Sequence, residues 1–237
     1  MSGSVAIRPA STVVLLRDGK EGVETLLLKR NKALAFAGGF WVFPGGSLDP
    51  EDMAAGEGDE ESAARVAAAR EAMEECGQRP RPKDMVLLSH WTTPEAETRR
   101  FSTWIYAAPL HLEEQVVIDG GEIHDSRWVS VQQALAEHRA GELAILPPTW
   151  MTLVTLSQYN TVDEAIDMER NTPVPQVLPV LAGFEGELVA LYRGDAGYDA
   201  ADPALPGARH RAMLRDGVWS YRYQDVDPEF QPLMPLN

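Results

Sequence analysis

The sequence contains one cysteine, Cys76, so no disulfide can form within the chain. A single thiol fits a reducing compartment, and its place in a helix-like segment favours a structural role over a nucleophilic one. No apolar run approaches the roughly 18 residues that a membrane-spanning helix requires. Residues 1–5 show neither the basic nor the apolar region of a secretion signal, and residues 235–237 are not a Ser-Lys-Leu address. These absences predict a cytoplasmic protein that does not bind a membrane.

Positive charge is also scarce, because 21 Lys and Arg residues are set against 36 Asp and Glu residues, for a formal net charge of −15. A nucleic-acid-binding surface needs clustered Lys and Arg to neutralise phosphates, so this balance argues against a nucleic-acid partner. An acidic protein that handles an anionic substrate must concentrate its few arginines locally or recruit a metal ion. Zinc is not indicated, since His90, His111 and His124 show no zinc-type spacing with Cys76.

The segment from Arg70 to Gly77 is the most informative part of the chain. Glu71, Glu74 and Glu75 are three and four positions apart, so a helix places all three carboxylates on one face. Like charges at these spacings repel by roughly 0.2–0.5 kcal/mol per pair on an exposed helix. A hard divalent cation relieves such crowding, and oxygen ligands are the ones that Mg²⁺ and Mn²⁺ prefer. A solvated acidic face is the alternative in a chain this rich in Asp and Glu.

The flanks of this segment support the metal-site interpretation. The opposite face of the helix carries Val66, Ala69, Met73 and Cys76, spaced to pack on a core, and Gly77 is placed to end the helix. Upstream, a short aromatic and β-branched run at 40–43 leads into Pro44, Gly45 and Gly46. Two glycines at a strand end let the backbone turn tightly and approach a ligand closely. The order is therefore strand, glycine turn, loop and acidic helix.

This arrangement resembles the Nudix hydrolase family, whose signature is G-x5-E-x7-R-E-U-x-E-E-x-G-U, with U a bulky aliphatic residue. The matching residues are Gly46, Arg70, Glu71, Glu74, Glu75 and Gly77, with Ala72 at the first U position. The interval from Gly46 to Arg70 is 24 residues instead of 14, so the loop carries about ten extra residues. Counting back eight from Arg70 reaches Ser62 where the family has Glu, with Glu60 and Glu61 as possible substitutes. The final U position is the polar Gln78.

A long loop inside this signature points to the coenzyme A diphosphatase branch of the family. Residues 26–46 resemble that branch's motif LLTxRSxxxRxxxGxxxFPGG, with Arg30 and Gly39 in register but Ala35 in place of the second arginine. Residues 91–94 and 99–101 resemble its W-x-T-P and R-R-F segments, and residues 146–149 also look similar. The resemblance covers roughly residues 10–225.

The resemblance implies an α/β/α sandwich and hydrolysis of a diphosphate bond with Mg²⁺ or Mn²⁺. Glu71, Glu74 and Glu75 would hold the cation, while Arg70 would brace these glutamates without touching the substrate. A water molecule must be activated by a carboxylate, and the candidates are Glu75 and Glu122, which stands just before the strand around Trp128. Coenzyme A or an acyl-coenzyme A is the leading substrate, giving 3′,5′-ADP and a 4′-phosphopantetheine.

Arg30, Arg99 and Arg100 are candidates for gripping the substrate's phosphates, because a planar guanidinium binds phosphate bidentately. Adjacent Arg99 and Arg100 point to opposite sides of an extended segment, so at most one is expected to face the site. Gly45 and Gly46 are expected to contact the substrate through their backbone. Trp91, Trp104 and Trp150 are candidates for stacking on adenine, and we expect at least two of them to belong to the core instead.

Two other functions remain open at this stage. ADP-ribose, NADH or a similar dinucleotide is the alternative substrate, and Ala35 favours it. A binding or regulatory protein without turnover ranks lower, because such relatives usually lose one of the signature glutamates. The small-molecule substrate is the one partner expected, apart from a possible homodimer.

The rest of the chain reads as a mixture of strands and helices. Strands are predicted at 11–16, 23–30, 40–43, 85–91, 101–108 and 127–129, and helices from Glu60 or Ser62 to Cys76, from Ser130 to near 141, over 150–159 and from Thr161 to about 169. Two hairpins are predicted after them, 177–181 with 188–192 and 209–215 with 218–223. Residues 48–60 are predicted to be a mobile loop that covers the substrate. We divide the chain into a core, 1–146, and an extension, 147–237, that packs on it without being an independent domain.

Overall fold

Two β-sheets organise the computed structural model, which describes residues 5–33, 37–110, 115–118 and 120–236. The strands are β1 (Ile7–Gly19), β2 (Gly22–Arg30), β3 (Trp41–Val42), β4 (Gly45–Ser47), β5 (Val86–Thr92), β6 (Arg100–Pro109), β7 (Ile123–Ser130), β8 (Gln176–Val177), β9 (Val180–Phe184), β10 (Glu187–Leu191), β11 (Arg209–Arg215) and β12 (Val218–Gln224). The helices are α1 (Pro50–Ala55), α2 (Glu60–Cys76), α3 (Val131–Arg139), α4 (Pro147–Leu156) and α5 (Val162–Glu169). In the larger sheet the order is β3-β2-β1-β6-β5-β8, with β4 paired to β1 and β7 to β2. The smaller sheet has the order β12-β11-β10-β9.

The larger sheet is covered on both faces, as alternation along β1 shows. Val13 and Leu15 pack in one cluster with the alanines of α2, whereas Val14 and Leu16 pack in another with residues of α3, α4 and α5. Because side chains alternate along a strand, these two clusters lie on opposite faces of the sheet. The predicted α/β/α sandwich is confirmed. Among the described residues, no helix combines the length and apolar character needed to cross a membrane.

The locally encoded elements are where the sequence predicts them. Ser130 and Thr161 cap α3 and α5, each accepting a hydrogen bond from the backbone N–H three residues on. Asp216 and Gly217 have φ values of 50° and 81° and join β11 to β12, as expected for a two-residue hairpin turn. Cys76 is buried and donates its thiol hydrogen to the carbonyl of Ala72, which confirms its structural role.

Three expectations about packing are wrong. Residues 48–60 are not simply a mobile loop, because α1 forms within them and packs on α2. The buried face of α2 consists of alanines at four-residue spacing with Cys76, whereas Met73 is 42% exposed. Alanine lets the helix lie close to the sheet, so the larger side chains are not needed there. Val177 does not belong to the first C-terminal hairpin; it lies in β8, which pairs in parallel with β5.

The C-terminal sheet is joined to the rest of the fold through His138. This imidazole is fully buried; its Nδ1 lies 2.9 Å from the carbonyl of Leu143 and its Nε2 accepts the backbone N–H of Trp219 at 3.0 Å. A carbonyl can only accept, so the proton lies on Nδ1. The indole N–H of Trp219 in turn donates to the carbonyl of Ile145 at 2.9 Å. These contacts support the interpretation of residues 147–237 as an extension packed on the core.

A buried ion pair fixes the C-terminal sheet internally. Arg211 donates to both carboxylate oxygens of Asp195, at 2.7 and 2.6 Å. The Asp195 side chain is fully buried and that of Arg211 is 5% exposed. Burial alone would raise the pKa of Asp195, but hydrogen bonds from Arg211 and from the backbone N–H groups of Gly197 and His210 bring it below its ordinary value.

We expect Asp195→Asn to lower the free energy of unfolding by about 3 kcal/mol at pH 7, since it leaves a buried guanidinium charge uncompensated. The control is Glu187→Gln in the same sheet; its partner Arg215 is exposed, so the loss should stay below about 1 kcal/mol. Because the pKa of Asp195 is lowered on folding, its contribution is complete above the unfolded pKa and is lost as the pH falls through the folded one. The difference between wild type and Asp195→Asn should therefore narrow below about pH 4, measured by urea unfolding. Equal stabilities at pH 7 would contradict this assignment.

Candidate active site

The last turn of α2 presents the three clustered glutamates at the edge of the larger sheet. The helix ends at Gly77, whose φ of 73° is in the left-handed region, and its N–H donates to the carbonyl of Met73. Glu75 is buried and Glu71 is partly buried, whereas the Glu74 side chain is 58% exposed. The acidic face therefore runs from the protein interior out to solvent.

The glycine turn lies directly against these carboxylates. Gly45 and Gly46 form β4, which pairs with β1 at Thr12 and Ser11. The backbone N–H of Gly45 donates to Oε2 of Glu75 at 3.0 Å. A Cβ atom at Gly46 would lie 2.3 Å from Oε1 of Glu71, a distance that no side chain tolerates. Glycine is thus required here because the backbone and the carboxylates share one narrow space.

Arg70 is the centre of the hydrogen-bond network around the glutamates. Its guanidinium donates to Glu71 at 2.9 Å, to Glu74 at 3.1 Å and to the carbonyl of Ser47 at 3.0 Å. It also forms a two-pronged contact with Asp52, at 3.2 and 2.9 Å. The contact with Asp52 is the largest cause of the raised pKa of Arg70. This arrangement is the bracing role that the family resemblance implies.

Asp52 is the functional residue that sequence reasoning missed. It is 2% exposed, and Oδ2 also accepts the backbone N–H of Asp49 at 2.9 Å. Asp52 is the sixth residue after Gly46, which is the position of the first glutamate of the signature counted forward from the glycine. Counting forward instead of back from Arg70 would have found it.

The extra residues of the signature therefore lie after Asp52, so Ser62, Glu60 and Glu61 are not at the missing position. Asp59 accepts the backbone N–H of Ser62 at the start of α2. Glu61 pairs with Arg65 at 2.7 Å, one turn along the same helix. The first glutamate is replaced by the shorter Asp52, which α1 carries to Arg70.

The electrostatics of the site disfavour a full set of ionised carboxylates. Burial raises the pKa of Glu75 to about 8; the Gly45 N–H lowers it, while the neighbouring Glu71 raises it further. Burial likewise raises the pKa of Glu71, against the effect of Arg70. The acidic face thus carries negative charge that Arg70 only partly compensates.

Arg30 and Glu122 form a second charged pair near Glu75. Arg30 ends β2, Glu122 immediately precedes β7, and their side chains meet at 3.0 Å. Both act on Glu75, whose pKa is lowered by Arg30 and raised by Glu122. The Nε of Arg30 is buried and has no hydrogen-bond partner in the described part of the chain. One donor of this guanidinium therefore remains available at the site.

The structure does not bring Arg99 or Arg100 to the acidic helix. Arg99 is exposed, and Arg100 is buried with its Nε donating to the carbonyl of Thr93 at 3.1 Å. Arg100 pairs with Ile7 on β1, five residues before the partner of Gly45, which corresponds to about 17 Å along the strand. The prediction that the two arginines do not both face the site agrees with this geometry.

The tryptophan expectation is confirmed, since Trp91 and Trp150 belong to the core cluster on the face opposite α2. Trp104 is partly buried on the α2 face, and its ring lies 4.4 Å from that of His90. Ala35 and His111, on which two other interpretations rest, lie outside the described residues.

A divalent cation fits the donor set but not the present side-chain arrangement. Within residues 5–33, 37–110, 115–118 and 120–236, no group of three acidic, histidine or cysteine side chains is arranged to hold a metal ion. The reason is visible in the contacts, because Glu71 and Glu74 turn to Arg70 while Glu75 turns to Gly45. The chemistry still favours a hard cation, since three crowded carboxylates, two with raised pKa, are oxygen ligands with uncompensated charge.

The fold and the site define a NUDIX domain, and the family model of that description matches residues 7–147. The chain belongs to the NUDIX family, which confirms the resemblance found in the sequence. A curated relative, the acyl-coenzyme A diphosphatase NUDT19 of Xenopus laevis, is 27% identical over 175 residues, which cover 62% of this chain and 46% of the relative. The match thus spans about half the length of that relative. The crystal structure of a NUDIX hydrolase from Alicyclobacillus acidocaldarius is 24% identical, with a TM-score of 0.64 over 71% of this chain and 99% of the other, which shows the shared fold.

We expect Asp52→Asn to lower the free energy of unfolding by about 2 kcal/mol, because Arg70 loses its buried carboxylate partner. Glu61→Gln is the matched control and should cost less than about 1 kcal/mol, since it breaks only a half-exposed pair within one helix. Urea unfolding of both variants at pH 7 measures the difference. A larger loss for Glu61→Gln than for Asp52→Asn would show that the network is centred elsewhere.

Proposed function

We propose that this protein hydrolyses a diphosphate bond in a nucleotide-containing metabolite with Mg²⁺ or Mn²⁺. One observation carries the proposal. The last turn of α2 places Glu71, Glu74 and Glu75 against the Gly45–Gly46 backbone, where a side chain at position 46 would collide with Glu71. A narrow space lined by carboxylates and bare backbone suits a cation bridged to substrate phosphates.

In this proposal Glu71, Glu74 and Glu75 hold the cation. When bound, the metal supplies positive charge for the phosphoryl oxygens and lowers the pKa of a bound water. Arg70 positions the glutamates through Asp52 and does not contact the substrate. The Gly45–Gly46 backbone lets the diphosphate approach the helix closely, as bare backbone does at other phosphate sites.

Arg30 is the residue that we propose binds the substrate's phosphates. Its Nη2 atom is held by Glu122 at 3.0 Å, whereas its buried Nε has no acceptor among the described residues. A guanidinium fixed at one end and open at another is oriented for a charge-assisted hydrogen bond to a phosphate oxygen. Arg99 and Arg100 are not part of this proposal, given where the structure places them.

The acceptor of the water's proton is Glu75 or Glu122. Glu75 touches the Gly45 backbone beside the proposed metal ligands, and Glu122 lies close enough to influence its ionisation. Glu122 has the more exposed side chain, 58%, and is engaged by Arg30. Comparing kcat for Glu75→Gln and Glu122→Gln distinguishes them: the base should cost 10²-fold or more, as is typical for general-base catalysis.

Coenzyme A or an acyl-coenzyme A is the proposed substrate, cleaved to 3′,5′-ADP and a 4′-phosphopantetheine. Support comes from the motif resemblance around Arg30 and Gly39, from the long segment inside the signature, and from the similarity to the Xenopus laevis acyl-coenzyme A diphosphatase. A dinucleotide such as ADP-ribose or NADH is the second candidate. The observation that favours it is Ala35, where the coenzyme A motif has an arginine.

The substrate prediction is tested by a cleavage panel of coenzyme A, acetyl-coenzyme A, ADP-ribose, NADH and a nucleoside triphosphate, each with Mg²⁺ and with Mn²⁺. We expect coenzyme A or acetyl-coenzyme A to lead in kcat/KM by roughly tenfold, equivalent to about 1.4 kcal/mol of transition-state discrimination. A lead for ADP-ribose or NADH would overturn the substrate class while leaving the chemistry intact. No cleavage of any member would favour a nucleotide-binding protein without turnover.

We expect Glu74→Gln and Glu75→Gln each to lower kcat/KM by 10²-fold or more, because each removes one proposed ligand charge. Glu60→Gln is the matched control, since Glu60 is exposed at the start of the same helix. Steady-state kinetics at saturating Mg²⁺, with circular dichroism to check folding, gives the comparison. Near wild-type activity in both folded variants would remove the acidic helix from the mechanism.

A further inference from the structure

A cavity of about 670 Å³ lies on the other face of the larger sheet from α2. Its walls come from β5, α4, α5, the smaller sheet and residues 229–235. This volume is within the range of small-molecule sites, about 300–1,000 Å³. The aromatic side chains of Trp91, Tyr159, Tyr192 and Phe230 contribute to the lining. No residue of the proposed diphosphate site takes part in it.

Two buried polar atoms in this lining have no hydrogen-bond partner in the described part of the chain, namely Oη of Tyr192 and Nε2 of His210. Tyr192 is 2% exposed and His210 is 3% exposed, and their ring centres are 5.4 Å apart. A buried polar group left unsatisfied costs about 1–3 kcal/mol. A fold that keeps two such groups side by side in one cavity gives up stability there that a bound ligand would restore.

The protonation of His210 defines what the ligand must offer. Its Nδ1 lies 2.6 Å from the carbonyl of Arg193, which can only accept, so the proton is on Nδ1. Burial lowers the pKa of His210 and keeps the ring neutral. Nε2 therefore presents a lone pair, while the Tyr192 hydroxyl is free to donate. The pair requires a ligand with a donor beside an acceptor.

The charges of the cavity argue against a phosphorylated ligand. Among the described lining residues, Arg193 is the one cationic side chain, and it is exposed. The acidic lining residues are Glu169, which is buried and accepts the hydroxyl of Tyr159 at 2.6 Å, and the exposed Glu229. Phosphate binding needs positive charge or clustered N–H donors, and neither lines the interior.

We propose that this cavity binds a small uncharged molecule with an amide-type edge, such as a ring lactam, a nucleobase or an aromatic carboxamide. The N–H of the ligand donates to Nε2 of His210, and its carbonyl accepts the hydroxyl of Tyr192. The ring of the ligand packs among Trp91, Tyr159 and Phe230. This proposal does not depend on the reaction proposed for the acidic helix.

The probe for the test is nicotinamide, with methyl nicotinate as the matched compound that keeps the ring and carbonyl but has no N–H donor. Binding is followed by ¹H–¹⁵N NMR, with saturable shifts expected at Trp91, Tyr192 and His210. Tyr192→Phe removes only an unpaired hydroxyl, so its unfolding free energy should match or exceed that of wild type. His210→Asn keeps a donor for the Arg193 carbonyl and removes Nε2.

We expect nicotinamide to bind wild type at millimolar concentrations and about tenfold more weakly to each variant, a change of about 1.4 kcal/mol. His124→Asn, an exposed histidine on β7, should leave binding unchanged. Methyl nicotinate should bind wild type no better than nicotinamide binds His210→Asn. The proposal is overturned by equal affinity in wild type and both variants, by equal affinity for the two probes, or by the absence of saturable shifts. A crystal structure in which ordered water satisfies both atoms and nicotinamide does not displace it would also overturn it.

Discussion

The Arg70 guanidinium is the interaction on which the acidic site depends. It joins a strand carbonyl, the buried carboxylate of Asp52 and two of the three clustered glutamates. Without this charge, three carboxylates on one helical turn would repel each other beside a sheet edge that excludes part of the solvent. Lysine would not replace it, because the contacts use Nε and both terminal nitrogens of a planar fork, and an ammonium offers a single point of attachment.

The same contact explains how the chain tolerates extra residues inside its signature. Because they follow Asp52, the geometry from Gly46 to Asp52 is kept, and α1 returns the chain toward α2. Closing a longer connection is inexpensive, since doubling a loop costs about 0.6 kcal/mol. The connection is also secured at Gly56, where a Cβ atom would lie 2.5 Å from the backbone of Ala63. The insertion therefore lengthens the path between Asp52 and Arg70 without separating them.

What could be predicted from the sequence follows the range of the forces involved. The acidic helix with its glycine end, the two helix caps and the Asp216–Gly217 turn are encoded within a few residues, and the structure has them where expected. The missed features depend on distant partners. The six-residue α1 is secured by Arg70, 18 residues on, and β8 exists through its pairing with β5. Likewise, the separation of Arg100 from Gly45 follows from where each pairs on β1.

The extension after residue 147 completes the face of the sheet opposite α2. Leu153 and Leu156 of α4, Ile166 of α5 and Trp219 of β12 share one buried cluster with Val14 and Leu16 of β1. If these elements were absent, that face of the sheet would be exposed as a large apolar patch. The contact through His138 adds a directional requirement, since the neutral imidazole with its proton on Nδ1 accepts the Trp219 N–H and a doubly protonated ring would not. Burial lowers the pKa of His138 and so favours the neutral form that docks the C-terminal sheet. We infer that the segment matched by the family model does not form a complete folding unit in this protein.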